Sequence, residues 1–386
     1  MVNRRRAAVL AVPAVLAVPI ALLAGCSQQT PATAAGPIAV HASDTECTLD
    51  RTEVDAGTIT FEVANKGSKV TEFYLYDEGD RVVGEVEDIG PGATRRLIVE
   101  LPGAGTYTAA CKPGMTGDGI RVTLTVKASA GTAGNGSAAR AKDATLAEAT
   151  ANYQRYVAEQ ADVLLTRTTE FVDAVRAGRV DDAKALYPVA RTPWERIEPV
   201  AESFGDLDPR IDGREDTVDQ GAQFTGFHRL ERDLWRDGLL PDSNAIADRL
   251  LTDVRELVAK AKTVELTPVQ LANGAKELLD EVATCKITGE EDRYSHTDLW
   301  DFAANVDGAE AAIAALRPVL ASRDAALAST LDERFEAVEK LLQAHRSGEG
   351  FRPYTELTEA EVKKMAEAVD AIGEPLSKVA AVVAGR

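Results

Sequence analysis

The string Thr225-Gly226-Phe227-His228-Arg229-Leu230-Glu231 sets an imidazole and a carboxylate three positions apart, so on a helix His228 and Glu231 share one face. Phe227, Leu230 and Leu234 form an apolar stripe beside them that would bury that side. Upstream, Glu195, Glu198 and Glu202 recur at i, i+3 and i+7, with Pro199 able to open a new turn, and Asp206, Asp208 and Asp212 follow. Acids this dense repel one another unless a cation or water stands among them. An imidazole converging with carboxylates suits iron or zinc. The competing reading is a plain surface or core pair, because a lone HxxE is short. A further segment, Tyr294 to Phe302, sets His296 beside Asp298 and Asp301. It would complete the first site, form a second one or cap a helix through Thr297 or Asp298. His345 and the Gly348–Tyr354 loop read as solvated.

The motif lacks peptidase machinery. A zincin uses HExxH, in which the residue after the first histidine is the general base. Here that residue is Arg229, and Arg232 stands where the second histidine belongs. Gly-x-Ser-x-Gly, phosphate-loop and dinucleotide fingerprints are absent. The 386 residues carry a formal charge of −19, which excludes a general nucleic-acid binder and favours cations as partners.

These candidates need elements to hold them. From residue 145 to 386 the pattern is helical: Val157, Leu164 and Phe171 recur every seven positions with Tyr153 ahead of them, and Leu250, Val254 and Val258 form another stripe. Phe335, Val338, Leu341 and Leu342 form a third, so this part reads as an all-α bundle. Residues 37–127 alternate with period two instead, at Ile59, Phe61 and Val63 and at Ile120, Val122, Leu124 and Val126. Short turn strings such as Gly90-Pro91-Gly92 punctuate them, which predicts an all-β sandwich. A Gly, Ala, Ser and Thr-rich linker spans 128–144, and residues 26–36 read as a tether.

Cys47 and Cys111 fall at the two ends of the β segment, and the choice between a disulfide and a metal site stays open. Cys111 to Met115 puts a thiolate and a thioether in one loop, which resembles the last loop of the cupredoxin fold. Two imidazoles would be needed for a blue-copper centre, and His41 is the sole histidine here, with Glu72 at the earlier ligand position. Cys47, Glu72, Cys111 and Met115 remain as candidate ligands. Cys285 stands alone in the helical half.

The start of the chain reads as an export signal: Arg4 to Arg6, an apolar run from Ala7 to Ala24, then Leu23-Ala24-Gly25-Cys26. The last string resembles a lipobox, which implies cleavage after residue 25, acylation of Cys26 and a protein tethered outside the cytoplasmic membrane. An uncleaved membrane helix is the alternative, weakened by Pro13 and Pro19.

In this order, lipobox, cupredoxin-like segment, linker and a helical part with the strings Trp194–Asp212, Gly226–Glu231 and Tyr294–Ala309 resemble the extracytoplasmic lipoproteins of bacterial EfeUOB iron-uptake systems. Their C-terminal part is imelysin-like and contains HxxE. The resemblance implies iron capture and delivery to a permease of the EfeU type, with a haem peroxidase of the EfeB type as the other partner. It implies iron or zinc at His228 and Glu231, with Glu198 and Glu202 added, and copper or ferric iron at Cys47, Glu72 and Cys111. A non-enzymatic component is expected; an HxxE metallopeptidase or a copper-dependent ferroxidase is the alternative.

Overall fold

The computed structural model describes residues 36–128, 144–218 and 223–385; the leader, Cys26 and most of the linker lie outside them. Nine strands come first: β1 (Ile38–Ala42), β2 (Cys47–Leu49), β3 (Glu53–Asp55), β4 (Gly57–Asn65), β5 (Thr71–Tyr76), β6 (Val82–Ile89), β7 (Thr94–Leu101), β8 (Gly105–Pro113) and β9 (Ile120–Lys127). They form two sheets, ordered β2-β1-β4-β7 and β3-β9-β8-β5-β6. Period-two alternation supplies the core between the sheets. Ile38, Val40, Phe61, Val63, Leu97 and Val99 come from one sheet, and Phe73, Leu75, Ala109, Leu124 and Val126 from the other.

Strand β5 departs from the pattern, being buried at every position. Phe73 and Leu75 enter the sandwich core, whereas Tyr74 and Tyr76 pack with Val82 and Ala110 on the opposite face. A strand buried on both faces needs cover on its outer side. The helical part provides it.

That part contains α1 (Ala144–Arg176), α2 (Val180–Glu195), α3 (Leu207–Ile211), α4 (Gly226–Arg232), α5 (Ser243–Ala261), α6 (Pro268–Thr284), α7 (Asp298–Arg323), α8 (Ala325–Gln343) and α9 (Glu359–Val383). The apolar stripes meet in one core that includes Tyr153, Val157, Leu164, Phe171, Val254 and Phe335. Capping boxes at Thr267/Gln270 and Thr358/Glu361 start α6 and α9. The bundle is not wholly helical. A short hairpin of β10 (Arg346–Ser347) and β11 (Gly350–Phe351) interrupts it. His345, expected to be solvated, is buried at its base, with Nδ1 2.8 Å from Arg352 Nη2; burial and that guanidinium hold its pKa below the ordinary value.

The sheet and the bundle touch directly. Asn273 Nδ2 on α6 donates to the Ile98 carbonyl on β7 at 2.8 Å, and Ile98 packs against the helical core.

Between α2 and α3 the chain makes a 3-10 segment, Glu198–Phe204, started by Pro199. It is pressed between α6 and α7. A Cβ on Gly274 would lie 1.7 Å from the Pro199 carbonyl oxygen, and one on Gly308 would lie 2.4 Å from that of Arg196. Backbone can pass this close only where the helix has no side chain. Gly274→Ala is expected to destabilise the fold by about 1–3 kcal/mol or more in urea unfolding. Gly373→Ala in α9 has only the Asp280 side-chain oxygen at 3.4 Å, and should be neutral or stabilising by up to about 1 kcal/mol.

Candidate metal centre

Helix α4 begins with a constraint that glycine alone meets. Gly226 has φ +80°, and a Cβ there would fall 2.2 Å from the Ile211 carbonyl oxygen. The hydroxyl of the preceding Thr225 donates to the Arg210 carbonyl at 3.0 Å. This junction pins α4 against α3, so one turn of helix enters the core with Phe227 and Leu230 fully buried and His228 and Glu231 beside them.

His228 Nδ1 lies 3.1 Å from Glu231 Oε2 and 3.9 Å from Asp292 Oδ1. Its Nε2 lies 3.5 Å from Glu291 Oε1 and 3.7 Å from Asp212 Oδ1. Donor atoms of Asp212, His228 and Glu291, and those of His228, Glu231 and Asp292, fall within 4.8 Å of one another. All five residues are buried. Burial and the nearby Arg191 oppose a charged imidazole here. Hydrogen bonds to Glu231 and Glu291 and the Asp212 carboxylate outweigh them and push His228 up to about 10.

The second carboxylate oxygen of Glu231 is held from behind. It accepts from the Tyr294 and Ser295 amides at 2.9 and 2.7 Å and from Ser295 Oγ at 3.0 Å. Burial opposes ionisation of Glu231, but these donors and His228 keep its carboxyl below the usual range. Asp292 is oriented by Tyr187, whose hydroxyl donates at 2.9 Å, and by Thr297 Oγ1. The Tyr294–Phe302 string thus positions the site. His296 itself contributes backbone, its amide donating to Asp292 O at 2.7 Å and its carbonyl accepting from Tyr354 N at 2.9 Å.

The acids are balanced by cations that the motifs did not announce. Arg191 is fully buried and pairs with Glu195 at 2.5 Å, Asp212, and Asp301 at 3.4 Å. Lys286 pairs with Glu198 at 2.7 Å and Glu195 at 3.3 Å, and Arg214 pairs with Glu291. Carboxylates still outnumber these bases. An oxygen-rich centre with one imidazole and surplus negative charge can hold a divalent or trivalent metal.

Of the residues expected here from the sequence, the structure brings His228 and Glu231 together. Glu198 is bound instead to Lys286 and to Asn305 Nδ2 at 2.5 Å. Glu202, moved off the α2 face by the 3-10 turn at Pro199, lines a cavity between sheet and bundle. In the sequence Asp212 is only one of a run of acids, and Glu291, Asp292, Arg191 and Lys286 stand outside the HxxE string and its neighbouring motifs. The acid run Glu290-Glu291-Asp292 just ahead of Tyr294 was the one available signal.

In the β part the expectation of a ligand set at Cys47, Glu72 and Cys111 is corrected. Cys47 and Cys111 form a disulfide inside the sandwich core and offer no thiolate. Phe73 pairs with Cys111 and Glu72 with Lys112, so Glu72 points to the other face of the sheet. Met115 is exposed at a positive-φ turn. These residues do not fit a copper centre.

Removing the buried guanidinium would leave several carboxylates unpaired away from water. Arg191→Met is expected to cost about 3–5 kcal/mol in urea unfolding of the metal-free protein. Arg317→Met, which breaks a solvent-exposed pair with Asp332, should cost less than about 1 kcal/mol.

Two family models match the chain: an imelysin model over residues 149–379 and a cupredoxin-like model over residues 16–126. An iron uptake system component EfeO from Escherichia coli O157:H7 is 36% identical over 349 residues, covering 90% of this chain and 91% of the relative. A protein of the same description from Shigella flexneri gives the same identity and coverage. An Efem/EfeO family lipoprotein from Staphylococcus haemolyticus is 43% identical over 243 residues, covering 62% of this chain and 85% of the relative. With its cupredoxin-like sandwich ahead of an imelysin bundle, the chain belongs to the EfeO family of iron uptake system components.

Proposed function

We propose that this protein captures iron outside the cytoplasmic membrane and hands it to a membrane permease, with His228 and Glu231 among the ligands. The observation that carries the reading is the buried cluster of His228 with Asp212, Glu231, Glu291 and Asp292. One imidazole among carboxylates suits iron or zinc, without the closed grip of four thiolates. A carrier must release its cargo. Part of the cluster, Asp212 and Glu291, lines a cavity of about 800 Å³, which gives the ion a way in and out.

The peptidase reading has no support in the geometry. Arg229, at the position of the zincin base, is tied to Asp233 and lies 3.1 Å from Asp242. A copper-dependent oxidation of Fe(II) finds no thiolate in the β part, because Cys47 and Cys111 are joined to each other, which leaves the exposed Met115 thioether as its one soft donor among the described residues. By the resemblance read in the sequence, an EfeU-type permease and an EfeB-type haem peroxidase would be the partners. Acylated Cys26 would be the anchor, and among the described residues no helix is long and apolar enough to cross a membrane.

Calorimetric titration of iron and zinc tests the centre. The parent chain should bind, and the His228→Ala/Glu231→Ala pair should bind at least about 100-fold more weakly. Equal binding by the two chains would remove the centre from consideration. Fractionation tests the anchor: Cys26→Ala should move the protein from the membrane to the soluble extracytoplasmic fraction.

A further inference from the structure

The cavity that reaches Asp212 and Glu291 extends over the outer face of the β sheet, where a second group of acids lines it. Glu85 comes from β6, Glu202 from the 3-10 segment, and Glu277 and Glu281 from α6. Three separate elements, from both parts of the molecule, therefore line one space with acidic residues. Glu85 sits opposite Tyr74 in the sheet, with its side chain on the covered face. It is 8% exposed, and its Oε2 atom, which has no solvent contact, has no hydrogen-bond partner. A buried carboxylate oxygen without a donor is costly unless something else meets it.

The neighbours do not supply that partner. Lys112 stacks its ammonium over the Tyr74 ring at 3.7 Å, and Lys276 is held by Asp280. Burial, followed by repulsion among the acids themselves, raises Glu202 to about 7 and Glu277 to about 8. Glu85 is raised too, by burial and then by Glu202. The two acid groups differ in chemistry. The His228 cluster contains nitrogen and has Arg191 and Lys286 built into it, whereas the second group offers carboxylate oxygen alone.

We propose that Glu85, Glu202 and Glu277 form a second cation site at the junction of sheet and bundle, taking a hard, oxygen-seeking di- or trivalent metal ion. Ferric iron is the ion that the carrier role would bring, and the proposal rests on that role only for this identity. Because its ligands come from both parts, an ion bound there ties the sandwich to the bundle. Glu202 belongs to this site and not to the His228 centre.

Terbium(III) is a suitable probe, because Tyr74 and Tyr76 line the same cavity and can sensitise its luminescence. Titrated into the full chain carrying His228→Ala and Glu231→Ala, terbium should still give one saturable step. Adding Glu85→Gln or Glu277→Gln to that chain should weaken the step tenfold or more. Thermal melts keep the test independent of folding. Without metal, Glu85→Gln should melt at or above the parent, since burial already favours the neutral carboxyl there and glutamine keeps its shape. With terbium, the parent should gain stability and Glu85→Gln should not. Unchanged terbium affinity in the Glu85→Gln chain, or a lower melting temperature without metal, would overturn the second site and leave the iron centre untouched. Equal iron binding by the parent and the His228/Glu231 pair would overturn the centre and leave this site standing.

Discussion

A guanidinium sealed from water among carboxylates governs the helical part of this protein. Arg191 has no exposed surface, and it faces Glu195, Asp212, Asp301 and the His228 ring at once. In a medium of low polarity, unbalanced like charges cannot be gathered at close range. The structure gathers them by inserting Arg191 and Lys286 between them and by letting His228 carry a proton. Charge balance is left incomplete on the acidic side.

The ring of aromatics around Tyr187 serves the same arrangement. Phe171 and Phe227 pack edgewise or tilted against each other and against Tyr187, and Trp235 packs edgewise against Tyr187, with centroids 5.4 to 6.3 Å apart. They form a largely apolar wall beside the polar cluster, and the Tyr187 hydroxyl donates from it to Asp292. Water is kept out on this side. Access is left to the cavity that Asp212 and Glu291 line.

With its cysteines locked inside the sandwich, what the β part presents to the bundle is the outer face of β5 and β6, carrying Tyr74, Tyr76 and Glu85. Period two decides this division. Phe73 and Cys111 face inward as neighbours, and Glu72, Tyr74 and Lys112 face the helices. That sheet then acts as a wall of an acidic space, while β7 of the other sheet props α6 through Ile98 and Asn273.

By itself the sequence determined the order of a β sandwich and a helical bundle, because periods of two and of about 3.6 are local properties of the chain. It also determined that His228 and Glu231 meet, since one helical turn is enough to join them. The tertiary structure alone decided which acids join that pair. Glu198 and Glu202 are near in number, yet the 3-10 turn at Pro199 and Lys286 take them elsewhere. Glu291 and Asp292 arrive from more than fifty residues away. The fate of Cys47 and Cys111 was equally undecided until the sheets closed, because a disulfide and a metal site need the same two residues and differ only in how the strands bring them together. Local spacing fixes which side chains share a face, and packing fixes what that face meets.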